Sequence, residues 1–192
     1  MGRIYNYILI LFLSASSFVY SQDDFSSCNL EILKYINLAR TNPVYFAENY
    51  LSSRRSDSPE AEECFMEMIN YFPKDELIWS DLLFNSAKDH SDDVGSNGLI
   101  GHLGSDSSTL RERIERYADW KGSIAENIYY GDSKPLEIVI LFLIDEGIED
   151  RGHRRNILNG NFQYTGVSVS SHFYYRKVCV VHFAEFVKEK KK

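Results

Sequence analysis

Positive charge is in short supply here: 21 Lys and Arg face 28 Asp and Glu over 192 residues, a formal net charge of −7. A chain of that sign lacks the clustered cations that neutralise phosphates, so nucleic acid is excluded as a partner class. The one basic cluster, Lys188-Glu189-Lys190-Lys191-Lys192, is short and terminal and reads as a solvated tail. Long apolar runs are also missing. Ile8–Leu13 is too short to span a bilayer, which takes about 20 residues, and Ile138–Ile144 suits a buried helix better. Cysteine is scarce and odd in number: Cys28, Cys64 and Cys179, with no Cys-x-x-Cys pair. In an oxidising compartment this allows one disulfide and leaves one thiol over, with Cys28–Cys64 the favoured pair and Cys179 a small strand hydrophobe. There is no Asn-x-Ser/Thr sequon, no repeat, no low-complexity stretch and no Gly-x-Ser-x-Gly nucleophile elbow.

What is present begins with a leader. Arg3, the apolar Ile8–Leu13 and the small residues around Val19-Tyr20-Ser21 read as a secretory signal over residues 1–21, with the mature chain starting near Gln22. The remainder is one domain, 22–187, long enough to bury a proper core, followed by the basic tail 188–192. Helical periods occur over Cys28–Arg40, Glu60–Tyr71 and Asp81–Val94, the last capped by Ser80 and ended by Gly95. Thr109 and Glu112 form a capping box, and Pro135 opens an apolar helix running to Glu146. The period then changes. Thr165–Ser170 and Lys177–Val187 read as strands joined through Ser171–Arg176, and the second is apolar at both parities, so helices cover both faces of its sheet. Helices followed by strands give an α+β layered domain.

Five histidines are available for chemistry. His90 falls on the apolar face of its helix and reads as a core histidine; His172 and His182, in the hairpin and mid-strand, read as structural. His102 lies in the glycine-flanked loop Gly98–Gly104 and His153 follows Gly152, positions where backbone freedom lets a side chain be aimed. Glu126, set among apolar neighbours in Ala125-Glu126-Asn127-Ile128, needs a partner, and histidine is a natural one. His153 follows the carboxylates Asp145 and Glu146. Two imidazoles with one or two carboxylates make a candidate divalent-metal or proton-handling site, although two histidines alone leave it weak and open.

Taken together these motifs resemble the CAP superfamily of cysteine-rich secretory, antigen 5 and pathogenesis-related proteins. The resemblance rests on Asn37-Leu38-Ala39-Arg40 with Thr41-Asn42-Pro43, on Leu77-Ile78-Trp79-Ser80, on Gly101-His102, on Ala125-Glu126-Asn127-Ile128, and on Gly152-His153-Arg154-Arg155-Asn156-Ile157-Leu158 with Gly166-Val167. It implies an α-β-α sandwich around a central antiparallel sheet, with a cleft tetrad of His102, His153, Glu126 and either Asp145 or Glu146. Spacing leaves the last choice open, and the chemistry favours Glu146. Ala125 replaces the usual glycine, Phe142 stands where Trp is common, and the disulfide-rich extension of one branch is absent. The implied function is a secreted protein binding a small lipid or sterol, with zinc or another divalent cation held weakly by His102 and His153. A metal-dependent hydrolase, protease or esterase, with Glu126 as base is the alternative. A recognition or effector module with an extracellular protein partner is the second.

Overall fold

A computed structural model describes the backbone from Gln22 to Lys190 and the side chains from Phe25; the leader reading over residues 1–21 lies outside the described residues. The elements run α1 (Gln22–Thr41), α2 (Pro43–Phe46), α3 (Pro59–Met68), β1 (Ile78–Trp79), α4 (Asp81–Asn97), α5 (Leu110–Tyr117), β2 (Ala118–Tyr130), α6 (Pro135–Ile144), α7 (Gly152–Leu158), β3 (Tyr164–His172) and β4 (Arg176–Glu189). Four strands form one sheet in the order β1-β3-β4-β2. The three long strands are antiparallel, while the two-residue β1 pairs parallel with β3, so the sheet is mixed. The architecture is α+β, as the sequence implies. Among the described residues no helix is long and apolar enough to cross a membrane.

The alternation of β4 divides the molecule into layers. Cys179, Val181 and Phe183 point into the larger core with Ile32, Ile36, Phe65, Leu143 and Ile157 from α1, α3, α6 and α7. Val178, Val180 and Ala184 point the other way, against Leu83, Ala87 and Val94 of α4 and Ile114 of α5. A strand covered on both faces has no need of a polar side, hence its apolar residues at both parities.

Several expectations are corrected. Gly95 does not end α4; the helix runs on to Asn97, and Gly98, with φ of 63°, is the left-handed cap. Gly95 is small for another reason: a Cβ there would lie 2.2 Å from the Ser171 carbonyl oxygen. β2, a 13-residue strand, has no counterpart in the sequence reading because Lys121-Gly122-Ser123 breaks its apolar pattern at a register shift. β4 continues two residues into the expected tail, since Lys188 and Glu189 pair with Asp119 and Ala118. No disulfide joins the cysteines: all three are free thiols, and burial pushes Cys64 up to about 12.

Two anchors tie α1 to the rest. Asn37 holds the Leu77 peptide from both sides, accepting from its N–H at 2.8 Å and donating to its carbonyl at 3.1 Å. The buried Arg40 guanidinium donates to the carbonyls of Asp75, Ile157, Asn159 and Phe162. On the other face, α4 meets β3 at Gly166, where a Cβ would lie 2.0 Å from the Phe84 nitrogen and 2.3 Å from the Leu83 carbonyl carbon. Those are backbone atoms that no rotamer change can move aside. Gly166→Ala is therefore expected to lower unfolding free energy by about 3 kcal/mol or more, measured by urea denaturation; an unchanged midpoint would contradict this packing.

Candidate functional site

Glu126 lies on the α4/α5 face of β2, directly opposite His182 of β4. Its side chain is 2% exposed. Both oxygens are occupied. Oε1 pairs with His102 Nδ1 at 2.8 Å, and Oε2 accepts from Arg113 at 2.8 Å and from His182 Nε2 at 2.7 Å. His90 Nε2 stands 4.0 Å from Oε2 and donates instead to the Gly101 carbonyl at 3.0 Å. Arg113 also donates to the carbonyls of His102, at 3.0 Å, and Ser108, at 2.7 Å. One guanidinium thus fixes both the carboxylate and the loop that carries His102.

The electrostatics follow from that geometry. Burial by itself would raise the Glu126 carboxyl, but the hydrogen bonds from His102 and His182, with the charge of Arg113, outweigh it and hold the group far below the usual range. His102 is pushed up, chiefly by its bond to Glu126. His90 and His182 are pushed down, because burial opposes the imidazolium more than Glu126 favours it. Neutral rings also suit the bonding: each donates through Nε2, and each Nδ1, buried without a hydrogen-bond partner, is then a bare lone pair rather than an orphaned N–H.

The second imidazole is held in a parallel way. Asp145 adopts a left-handed conformation, φ 55°, as the C-cap of α6. This turns its carboxylate onto α7, where Oδ1 pairs with His153 Nδ1 at 2.6 Å and Oδ2 accepts from the His153 backbone N–H at 2.8 Å. The chemical preference for Glu146 is not met: Glu146 is exposed, and the carboxylate against His153 belongs to Asp145. The His153 ring packs against Phe142 with centroids 5.3 Å apart. Arg154, buried like Arg40, donates to the Leu143 and Ile144 carbonyls and pairs with Glu63 and Glu67, locking α7 to α6 and α3. Asn127, next to Glu126 but on the opposite face of β2, donates to the His153 carbonyl at 3.0 Å and accepts from Asn156 at 2.8 Å.

The structure therefore assembles His102 with Glu126 and His153 with Asp145, and consecutive residues of β2, Glu126 and Asn127, touch one pair each. No hydrogen bond or ion pair joins the two pairs among the described residues. Each histidine is oriented by a carboxylate on Nδ1 and keeps Nε2 without a hydrogen bond to the described residues, the way metal-ligating imidazoles are held. The donor set stops there: among the described residues no group of three or more His, Cys, Asp and Glu could hold a metal ion. Sequence reasoning missed His182 and Arg113. A histidine alternating with valines in Val178–Phe183 was the available signal for the first; nothing in Leu110–Tyr117 set Arg113 apart from Arg111 or Arg116.

Two predictions follow from the burial of this cluster. Glu126→Gln leaves Arg113 without its carboxylate in a dry site, so stability should fall by about 3 kcal/mol and His102 should titrate lower in NMR; retention of both values would contradict the arrangement. For His90 and His182, held neutral by burial, the unfolded chain binds protons that the folded one refuses. Their contribution is present above about pH 6.5 and is lost as pH falls. His102 acts oppositely, its contribution vanishing as pH rises through its elevated value, but its ring is 62% exposed and the effect is the smaller. The urea midpoint should thus fall from about pH 7 to about pH 5; a flat or rising profile would contradict buried neutral imidazoles.

Comparison with known proteins agrees with this framework. Chain similarity to solved structures includes an extracellular protein containing an SCP domain from Bacillus anthracis, at 22% identity and TM-score 0.56, covering 88% of this chain and 45% of that one. A cysteine-rich secretory protein from Staphylococcus aureus shows 13% identity and TM-score 0.54, covering 86% and 40%. An outer surface protein from Borrelia burgdorferi shows 19% identity and TM-score 0.50, covering 72% and 96%. The chain thus spans under half the length of the first two; at these identities the likeness is one of fold. No curated protein matches the chain. The family description "CAP: Cysteine-rich secretory protein family" matches residues 36–183, and the chain belongs to the CAP family.

Proposed function

We propose that the protein is a secreted carrier of a small lipid or sterol. The observation that carries this reading is a cleft of about 570 Å³ between α1, α4 and the edge of β3. Its volume falls in the range of small-molecule sites, roughly 300–1,000 Å³. Phe25, Phe84, Val169 and Phe173 supply apolar walls, and Asn29, Lys88, Asp92, His172 and several serines supply polar ones. Beyond the short β1, the edge of β3 faces this cleft, and Asn29 on α1 accepts from the outward Val169 N–H at 2.8 Å. A cleft that is part apolar and part polar suits an amphiphile whose chain lies on the phenylalanines and whose head reaches Lys88, a residue now paired with Asp92. Secretion belongs to the same proposal and rests on the leader composition of residues 1–21.

The His102–Glu126 cluster sits on another face of α4 from this cleft. Glu126 is a poor general base, since both its oxygens accept hydrogen bonds and its carboxyl is held far below the range in which it would take a proton. That weighs against the hydrolase alternative built on it. A divalent cation would be held by His102 and His153 through their Nε2 atoms, as an accessory to ligand binding, and a protein partner would be an additional ligand class.

Fluorescent fatty acid and sterol probes, titrated at micromolar protein, test the carrier reading. Saturable uptake is expected, with Phe84→Asp weakening it at least 10-fold, since a charge would then stand in an apolar wall. No saturable uptake of either probe by the native protein would overturn it.

A further inference from the structure

The end of the sheet beside this cleft is built unlike the rest of the surface. Two tips stand side by side there: the loop Gly98–Gly104 after α4 and the turn His172–Arg176 between β3 and β4. They expose Leu99, Ile100 and Leu103 from the first, and Phe173, Tyr174 and Tyr175 from the second, with Ile100 at 65%, Phe173 at 75% and Tyr174 at 73%. The tips are joined rather than merely adjacent. His172 donates through Nε2 to the Leu99 carbonyl at 2.8 Å, the Tyr174 ring covers Gly98, and Tyr130 packs on Tyr175 while its hydroxyl accepts from the Gly101 N–H at 2.9 Å. Isolated exposed hydrophobes need no explanation, but six on one fixed platform do.

We propose that this platform docks the protein onto a zwitterionic phospholipid surface. Three observations favour lipid over a protein partner. First, many of the backbone polar groups of the tips are satisfied from within. The Leu99 N–H reaches Val94, the Gly101 carbonyl takes His90, the His102 carbonyl takes Arg113, the Phe173 N–H reaches Gly95, and the N–H groups of Tyr174 and Tyr175 share His172 Nδ1. Each such internal bond lowers the cost of taking the tips out of water into a lipid interface. Second, neither segment, 98–104 or 172–177, contains an acidic residue in a chain that has 28 of them. Arg176 and Lys177 at the base of the turn are paired with Asp132, so the platform presents almost no net charge. The acidic body would be repelled by an anionic leaflet, which points to a neutral one. Third, the two tyrosines combine an apolar ring with a hydroxyl, the residue type suited to the headgroup boundary.

The platform is continuous with the proposed lipid cleft through His172 and Phe173, which belong to both. Docking would place the cleft mouth at the membrane, where a lipid could pass without crossing bulk water. The inference extends the carrier reading but does not depend on a ligand entering the cleft, and the two can fail separately.

Co-sedimentation of the native protein with phosphatidylcholine vesicles tests it, with phosphatidylserine-rich vesicles as the contrast. The native protein is expected to sediment with the neutral vesicles and less with the anionic ones. Ile100→Ser/Leu103→Ser/Tyr174→Ser, three residues outside the cleft, should cut partitioning roughly 30-fold while uptake of monomeric fluorescent fatty acid is unchanged. Tyr174→Trp should shift its emission to the blue on adding vesicles. Failure of the native protein to sediment, a triple variant that sediments equally well, an unshifted emission, or a dimer that dissociates in the triple variant would each overturn the proposal. Loss of fatty acid uptake by the native protein with docking intact would remove the carrier reading and leave this one standing.

Discussion

One buried carboxylate holds the candidate site together. Glu126 receives Arg113 from α5, His182 from β4 and His102 from the loop after α4, so three separate segments converge on a single side chain of β2. A charge removed from water is tolerable only when it is paired and hydrogen-bonded, and here it is. The consequence runs outward: Arg113 fixes the backbone of His102, and His90 fixes Gly101. The same loop then meets the β3–β4 turn through His172 and Leu99. The cluster is a positioning device, aiming the outer edge of His102 while keeping its own charges occupied.

A second point of order lies across β2. Asn127 carries the chain from the Glu126 cluster to α7, where Asp145 and Arg154 hold His153 and its helix. Arg40, Arg113 and Arg154 are all buried, and each converges on backbone carbonyls or carboxylates from distant parts of the chain. This molecule uses planar, multiply donating cations to join its layers where another would use disulfides.

Much of this was legible before the structure. The helical periods, the Thr109 capping box and the two apolar parities of β4 point to an α+β layered domain, the family resemblance adds the sandwich, and the motif carrying Asn37 and Arg40 proved to be a set of tertiary anchors. His102 with Glu126 could be suspected because a carboxylate among apolar residues needs a partner. The rest depended on long-range register. β2 was hidden because Gly122 and Ser123 interrupt its pattern, and with it went the pairing of Glu126 with His182. Asp145 rather than Glu146 faces His153 because a left-handed cap turns the shorter residue inward, a conformation that composition does not announce. Gly95 shows the converse: in sequence it reads as a helix stop, while its role is close approach to the Ser171 carbonyl.

The central claim is that Glu126 is a permanently charged organiser and not a proton-transferring base. Carbon-13 NMR of the carboxyl-labelled protein reads this directly. If the account holds, the Glu126 resonance stays that of a carboxylate from about pH 8 to about pH 4, below the ordinary glutamate value of about 4.3. A titration with its midpoint at or above that ordinary value would contradict it.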